Sequence, residues 1–362
     1  MDQIARSLKS FHSRVSSSIR FDKDGKQSGF LSIPHSSHES AYGRIQIPVI
    51  CIRSGEGPTA LLVAGNHGDE FEGQVVLTEL AQSLEPREIN GRILVLPALN
   101  TPAAEAARRC SPIDDGNLNR LFPGDPDGGP TAMLAHYVES LLLPLADYSM
   151  DLHSGGTSLC YQPCTLIRDD GPPELVARQF AALRAFGGRL AYVTSGENQG
   201  AERTFAAAAH RCGVVCVTTE LGGGASIDCE GAALARAGVA RVLHHAGILK
   251  AAPPVNTVQL KLMTVENGAS YVLAPEAGVF EPAVALGATV ACGDLAGRIW
   301  FPHTPWRKPE ELRFMNGGHV ICKRSVAWTR RGDCLLQVLA PYEKQCTHLP
   351  VVADATSIEQ TV

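Results

Sequence analysis

The 362-residue sequence has no uninterrupted apolar run near the roughly 18 residues that a membrane-spanning helix needs. It also has no basic block: 32 Lys and Arg stand against 37 Asp and Glu, a formal net charge of −5. Nucleic acid and anionic membrane surfaces are therefore not expected as partners. Residues 1–20 are polar and lack an apolar h-region, so no secretory leader is expected. A disulfide framework is missing as well. The 11 cysteines are an odd number and are scattered, which suits free thiols in a reducing, cytoplasmic compartment. What is present is ordinary globular composition, 44% apolar and 19% charged, in a chain long enough for two domains.

The first 46 residues, rich in Ser, His and Gly, read as an extended arm with one early strand. Short apolar runs bounded by Gly and Pro follow, at 48–53, 60–65, 92–97, 148–153 and 214–220. Runs of this kind suit strands buried on both faces. Helix-like stretches alternate with them, at 70–84, 131–143, 173–186, 201–212 and 231–249. The pattern predicts an α/β domain over 47–250 with a mostly parallel sheet. Ala251-Ala-Pro-Pro254 reads as a linker. A β-rich domain is expected over 256–341, with a loose polar tail at 342–362. Within the β-rich part, Gly278-Val-Phe-Glu-Pro … Gly293-Asp294 is echoed by Gly318-His-Val-Ile-Cys … Gly332-Asp333, with the two Gly-Asp pairs 39 residues apart. The repeat suggests a small barrel-like or sandwich unit with internal pseudo-symmetry.

The chemistry centres on Gly65-Asn-His67-Gly-Asp-Glu70, which follows one predicted buried strand and opens a helix. Sites in α/β sheets form at strand C-termini. His67 and Glu70 are three apart and can address one ion from a tight turn. His153, ending the strand of Asp151-Leu-His153, is the candidate third ligand. Two His and one Glu with an open fourth position is a catalytic zinc arrangement. Asn119-Arg120 offers a planar fork for a carboxylate, although Arg120 could instead pair with Asp114 or Asp115. Glu220 ends another apolar strand before Gly222-Gly-Gly224. It could be a general base, or simply a capping or ion-paired residue. Cys160/Cys164 and Cys212/Cys216 are each four apart, not the spacing of a zinc ribbon, and the second pair reads as core.

Four motifs in this order, His67-x-x-Glu70, Asn119-Arg120, Asp151-x-His153 and Glu220, resemble the succinylglutamate desuccinylase/aspartoacylase family, relatives of the zinc carboxypeptidases. The resemblance runs from about residue 47 to 339. The longer strings, such as Gly65-Asn-His-Gly-Asp-Glu-Phe-Glu-Gly73 and Thr218-Thr-Glu-Leu-Gly-Gly-Gly224, are most similar to its N-α-acetyl-L-2,4-diaminobutyrate deacetylases of ectoine degradation.

The resemblance implies one Zn²⁺ per subunit on His67, Glu70 and His153, with Glu220 as general base and acid. It implies Asn119 and Arg120 on the substrate carboxylate, and Arg109 on the scissile carbonyl and its oxyanion. Asp151 could orient a ligand histidine. The implied fold is a zinc-carboxypeptidase-like α/β domain, its mostly parallel mixed sheet flanked by helices, plus a small all-β, barrel-sandwich or hammerhead-like C-terminal domain. A homo-oligomer acting on a small N-acyl amino acid is implied too. A substrate bearing an ammonium calls for an acidic partner; Glu72 and Asp69 adjoin the motif, but the sequence does not say which residue serves. Other N-acyl amino acid deacylases, a zinc carboxypeptidase and a non-catalytic binding or carrier protein stay open. For a carrier, Lys308 lies in a Pro-rich loop without a hairpin motif, so a lid or wall is the expected use of the C-terminal domain.

Overall fold

The computed structural model describes residues 12–195, 201–254 and 258–343. Strands β1 (Ser16–Ser17), β2 (Gly25–Pro34), β3 (Arg44–Ser54) and β4 (Thr59–Ala64) lead into helix α1 (Glu72–Ser83). Then come β5 (Gly91–Leu96), α2 (Thr101–Glu105), α3 (Pro130–Tyr137), β6 (Tyr148–His153), β7 (Leu159–Tyr161) and β8 (Cys164–Arg168). They are followed by α4 (Pro173–Phe186), β9 (Leu190–Thr194), α5 (Phe205–Arg211), β10 (Val215–Glu220) and α6 (Cys229–His245). No described helix is long and apolar enough to cross a membrane.

The C-terminal part is built of strands: β11 (Lys261–Thr264), β12 (Tyr271–Leu273), β13 (Gly278–Pro282), β14 (Thr289–Val290) and β15 (Leu295–Trp300). These continue into β16 (Glu310–Arg313), β17 (Gly318–Arg324), β18 (Trp328–Thr329) and β19 (Cys334–Pro341). A large sheet runs in the order β1-β2-β3-β5-β4-β6-β10-β8-β9-β11-β19-β17-β14, and a small one in the order β16-β15-β13-β18.

The expected parallel arrangement holds at the centre, where β5, β4, β6 and β10 run together. It does not hold for the whole sheet. β3 joins β5 antiparallel, β8 joins β10 antiparallel, and the C-terminal β19 and β17 extend the far end antiparallel. The fold is thus mixed α/β with a second, antiparallel sheet.

The central strands are apolar throughout because both faces are covered. Leu62, Ala64, Val95, Met150, Leu152, Val215 and Val217 pack on one side with Val76, Leu183 and Val239 from α1, α4 and α6. Leu61, Val63, Leu94, Leu96 and Cys216 point the other way, toward Leu134 and Phe205 of α3 and α5 and toward Leu31 and Ile33 of β2. This period-two alternation places residues of one parity on one face of the sheet. On β6 and β10 it sends Asp151, His153, Thr218 and Glu220 to a common side. The register pairs Asp151 with Thr218 and His153 with Glu220.

Four helix expectations change at their ends. Helix α3 stops at Tyr137 before a π turn over Val138–Leu142, α6 runs over Cys229–His245 instead of 231–249, and two more shift. The helix expected from residue 70 begins at Glu72, because the preceding residues form the turn that carries His67 and Glu70. The helix expected over 201–212 is divided. Thr204 Oγ1 accepts the Ala207 N–H at 3.2 Å and caps α5, leaving Ala201–Arg203 as a separate 3₁₀ turn. The arm over 25–34 is a ten-residue strand paired along its length with β3.

The C-terminal repeat has a structural counterpart. Gly293 and Gly332 have φ of 90° and 88°, and in both turns the following Asp carboxylate accepts the N–H three residues back at 2.8 Å. Pairing is reciprocal between the halves, with β13 bonded to β18 and β17 to β14.

Candidate active site

Three strand ends converge on one cavity of about 390 Å³. The turn after β4 brings His67 and Glu70. The end of β6 brings Asp151 and His153, and the end of β10 brings Glu220. Arg109, Asn119 and Arg120 line the same cavity from the segment between α2 and α3. The candidate metal ligands, Glu220, Arg109, Asn119 and Arg120 therefore all line this cavity.

Close backbone contact explains the glycines of the first turn. Gly68 donates to Arg108 O at 2.9 Å, and a Cβ on it would lie 1.9 Å from the Ala103 carbonyl carbon. Only glycine lets α2 and the Arg109 segment lie against this turn. Similarly, Gly223 has a φ of +133°, and a Cβ there would lie 2.2 Å from Leu159 O. The loop after Glu220 is thereby bonded to the loop after His153, through Gly155 N to Gly222 O at 3.0 Å and Gly224 N to Leu159 O at 3.0 Å.

His67, Glu70 and His153 are buried, and their ligand atoms lie within 4.8 Å of one another. No other such group of three His, Cys, Asp or Glu is found among the described residues, which sets the cysteine pairs aside as a metal site. Cys160 and Cys164 lie on different strands, and Cys216 is core. Glu70 contacts His67 Nδ1 at 2.7 Å through Oε1 and His153 Nδ1 at 2.6 Å through Oε2.

Each ring has an acceptor at its other nitrogen. His67 Nε2 is 3.2 Å from Asn117 Oδ1, and His153 Nε2 is 2.8 Å from Asp151 Oδ2. An Nε2–H donated outward leaves both Nδ1 lone pairs and the Glu70 carboxylate turned toward one point. Two imidazole nitrogens and a carboxylate are a donor set that fits a zinc-type cation. Burial works against the charged form of His153, but Asp151 and Glu70 on either side outweigh it and raise its pKa. For His67, burial dominates and lowers the pKa. Burial opposes ionisation of Glu70, yet the two imidazoles hold its pKa well below the usual carboxylate range.

Arg109 Nη1 is 3.3 Å from His67 Nδ1 and 3.7 Å from Glu70 Oε1. Asn119 Oδ1 accepts the Phe205 N–H at the start of α5 at 2.8 Å, and its Nδ2 is 3.3 Å from His153 Nε2. Arg120 donates Nη1 to Asn119 O at 2.7 Å and forms no ion pair among the described residues. Neither alternative partner, Asp114 or Asp115, pairs with it; Asp114 instead accepts from the Thr131 N–H and hydroxyl at 2.8 and 2.7 Å. Glu220 is not ion-paired among the described residues either. Its Oε2 is buried without a hydrogen-bond partner. Burial, and then the nearby Glu70 carboxylate, push its pKa well above the ordinary glutamate value. A carboxylate in this state can take up and return a proton.

Asp69 and Glu72 do not line the cavity. Asp69 accepts the Thr157 N–H at 2.7 Å and Glu72 the Asp228 N–H at 3.0 Å, so both fix loops. The sequence reading missed Asn117, Tyr161, Arg168 and Gln179. Asn117 lies in the same string as Asn119-Arg120, which was a usable signal; the other three belong to stretches without a motif. Residues 258–343 supply no lining residue among those described. They back the site instead: β17 pairs with β7, and Ser325 N donates to Ser158 O at 3.0 Å.

Residues 56–246 match the succinylglutamate desuccinylase/aspartoacylase catalytic domain. The chain is 38% identical over 325 residues to the N-α-acetyl-L-2,4-diaminobutyric acid deacetylase of Halomonas elongata, covering 89% of this chain and 94% of that protein. Among solved structures, the product-bound ectoine utilization protein EutE (DoeB) of Ruegeria pomeroyi superimposes with a TM-score of 0.87 at 39% identity, covering 91% of this chain and 99% of that one. A succinylglutamate desuccinylase/aspartoacylase from Rhodobacter sphaeroides gives 0.85 at 38% identity, with 91% and 100% covered. The family implied by the four motifs is the family found: the chain belongs to the succinylglutamate desuccinylase/aspartoacylase family.

Proposed function

We propose that this protein is a zinc-dependent deacetylase that hydrolyses N-α-acetyl-L-2,4-diaminobutyrate to L-2,4-diaminobutyrate and acetate, as a step of ectoine catabolism. The observation that carries the reading is the buried His67–Glu70–His153 group facing an unpaired Glu220 in one cavity. The relatives' substrate supports the choice of amino acid.

His67, Glu70 and His153 hold the ion in this reading, with Asn117 and Asp151 orienting the imidazoles. A divalent ion so held supplies Lewis-acid polarisation of the scissile carbonyl and makes water more acidic. Glu220 takes the proton from the attacking water and returns it to the departing amine. Arg109 donates to the oxyanion as negative charge develops there. Asn119 and Arg120 hold the α-carboxylate, which fixes the amide near Glu220. We take 47–250 as the zinc-carboxypeptidase-like catalytic domain. Residues 256–341 are read as a barrel-sandwich-like unit that backs the site and limits it to small substrates, and 1–46 as an N-terminal segment preceding the catalytic domain. A cytoplasmic homo-oligomer completes the reading, to be checked by fractionation and by mass in solution.

The test is turnover of N-α-acetyl-L-2,4-diaminobutyrate by the zinc-loaded protein, beside the N-γ-acetyl isomer, N-acetyl-L-aspartate and a chelated control. Chelator-sensitive turnover of the α-isomer is expected. Turnover of N-acetyl-L-aspartate alone would keep the reaction class and reject the substrate. No turnover of any of the three would reject the deacetylase reading.

A further inference from the structure

The cavity wall formed by β8, β9 and α4 carries polar side chains to which the chemistry above gives no role. Arg168 lines it with its charge already met. Nε donates to Asp170 Oδ1 at 3.0 Å, Nη2 to Asp170 Oδ2 at 2.5 Å and Nη1 to Ala201 O at 3.2 Å. Three of its five N–H donors are thus committed, two of them to one carboxylate. Beside it stands Gln179 of α4, only 1% exposed. Its amide is 2.7 Å from Arg168 O. A backbone carbonyl can only accept, so Nε2 must be the atom making that bond. Oε1 is left as the accepting end of an amide that lines the cavity. Among the described residues the carboxylates lining the cavity are Glu70, Asp151 and Glu220, all gathered at the histidine cluster. None of these three stands on this wall.

We propose that this wall selects the substrate's side chain: Gln179 Oε1 accepts from a side-chain ammonium, while Arg168, held by Asp170, withholds its fork from a side-chain carboxylate. The inference rests on the deacetylase reading and deepens it. An ammonium meets a neutral acceptor beside a cation whose charge Asp170 offsets. An acidic side chain finds that cation engaged and Asp170 close by.

The test uses the full-length zinc-loaded protein, with Gln179→Met and Asp170→Asn compared with wild type and melting temperatures recorded. The substrates are N-α-acetyl-L-2,4-diaminobutyrate, N-acetyl-L-2-aminobutyrate, which lacks only the ammonium, and N-acetyl-L-aspartate. Gln179→Met should lower the kcat/KM ratio of the first to the second by about 10- to 100-fold, the range for a lost hydrogen bond to a charged group. Asp170→Asn should shift selectivity toward N-acetyl-L-aspartate by about tenfold or more as Arg168 is released. Ratios unchanged within twofold in both variants would overturn the proposal, as would an equal loss on all substrates. Calorimetric binding of L-2,4-diaminobutyrate against L-2-aminobutyrate is the second readout. If wild type turns over none of the substrates, the deacetylase reading falls while this readout still decides the wall. A preference for the diamine that Gln179→Met removes supports it, and no preference in wild type overturns it.

Discussion

Asp151 offers the sharpest test of how the histidine cluster is held. Its side chain is 1% exposed, and Oδ2 accepts from His153 Nε2 at 2.8 Å and from Asn66 Nδ2 at 3.1 Å. In Asp151→Asn the shape is kept and the charge removed. The amide must then offer its oxygen to two donors while its NH₂ finds no acceptor on that side. Loss of such an outer partner weakens metal binding about 10- to 100-fold. That corresponds to about 1.4 to 2.7 kcal/mol. Because metal binds the folded chain, this amount disappears from the metal-linked stabilisation at saturating zinc. At about 2 °C per kcal/mol for a chain of this size, the melting temperature of the zinc form should fall by about 3 to 5 °C. The metal-free protein should lose stability as well, because Asp151 no longer offsets the buried charge on His153. The figure of about 3 to 5 °C is therefore the extra fall of the zinc form over the metal-free one. Competition with a fluorescent zinc chelator measures the affinity, and scanning calorimetry measures both forms. Unchanged zinc affinity would refute the orienting role. An equal drop in both melting temperatures would refute it too, by marking Asp151 as a packing residue.

Other substitutions separate the remaining roles. Glu220→Gln should keep zinc content and KM but lower kcat by about 10²- to 10⁴-fold; near-full activity would remove Glu220 from the proton transfers. Arg109→Ala should lower kcat by about 10²- to 10³-fold, as expected for an oxyanion donor, with KM moving little. Arg120→Ala should act mainly on KM, with kcat/KM falling about 10- to 100-fold, and a pure kcat effect would contradict carboxylate anchoring. Gly68→Ala, whose Cβ would overlap the Ala103 backbone, should cost about 3 kcal/mol or more in chemical denaturation; a loss under about 1 kcal/mol would show that the turn and α2 can separate freely.

The parts of the fold that were legible are those where one physical signal dominates. The strands β4, β5, β6 and β10 are apolar on both faces, so they appear as unbroken runs, and Pro173 and Gly187 bracket α4 at both ends. β8 and β9 were hidden for the opposite reason. Each is five residues long and carries Thr and Arg or Tyr among its apolar residues, because these strands border the cavity and the C-terminal sheet. Their reversal against β10 is a matter of long-range pairing, which no local pattern encodes. The Gly-Asp repeat was readable because both halves use the same turn, in which an Asp carboxylate closes on the N–H three residues back.

At the site, legibility follows the distance between a residue and the backbone feature that positions it. His67, Glu70, His153 and Glu220 each sit at the end of a buried strand beside glycine, so strand pattern and glycine together point to them. Sequence could not say that His153 and Glu220 are neighbours, because that follows from the parallel register of β6 with β10. Nor could it tell an ion-paired Arg120 from a free one, because the choice depends on Asp114 being taken by the start of α3. Arg168 and Gln179 lie further still from any signal. Their meaning arises only when a strand, a helix and the Asp170 turn meet, leaving a paired cation and a pinned amide on one wall. The candidate catalytic groups sit at strand ends in a geometry that many substrates can share, whereas the proposed side-chain wall is assembled from ordinary positions. The reaction class can therefore be read from four motifs and the amino acid from longer strings, whereas the role proposed for Arg168, Asp170 and Gln179 rests on their three-dimensional arrangement.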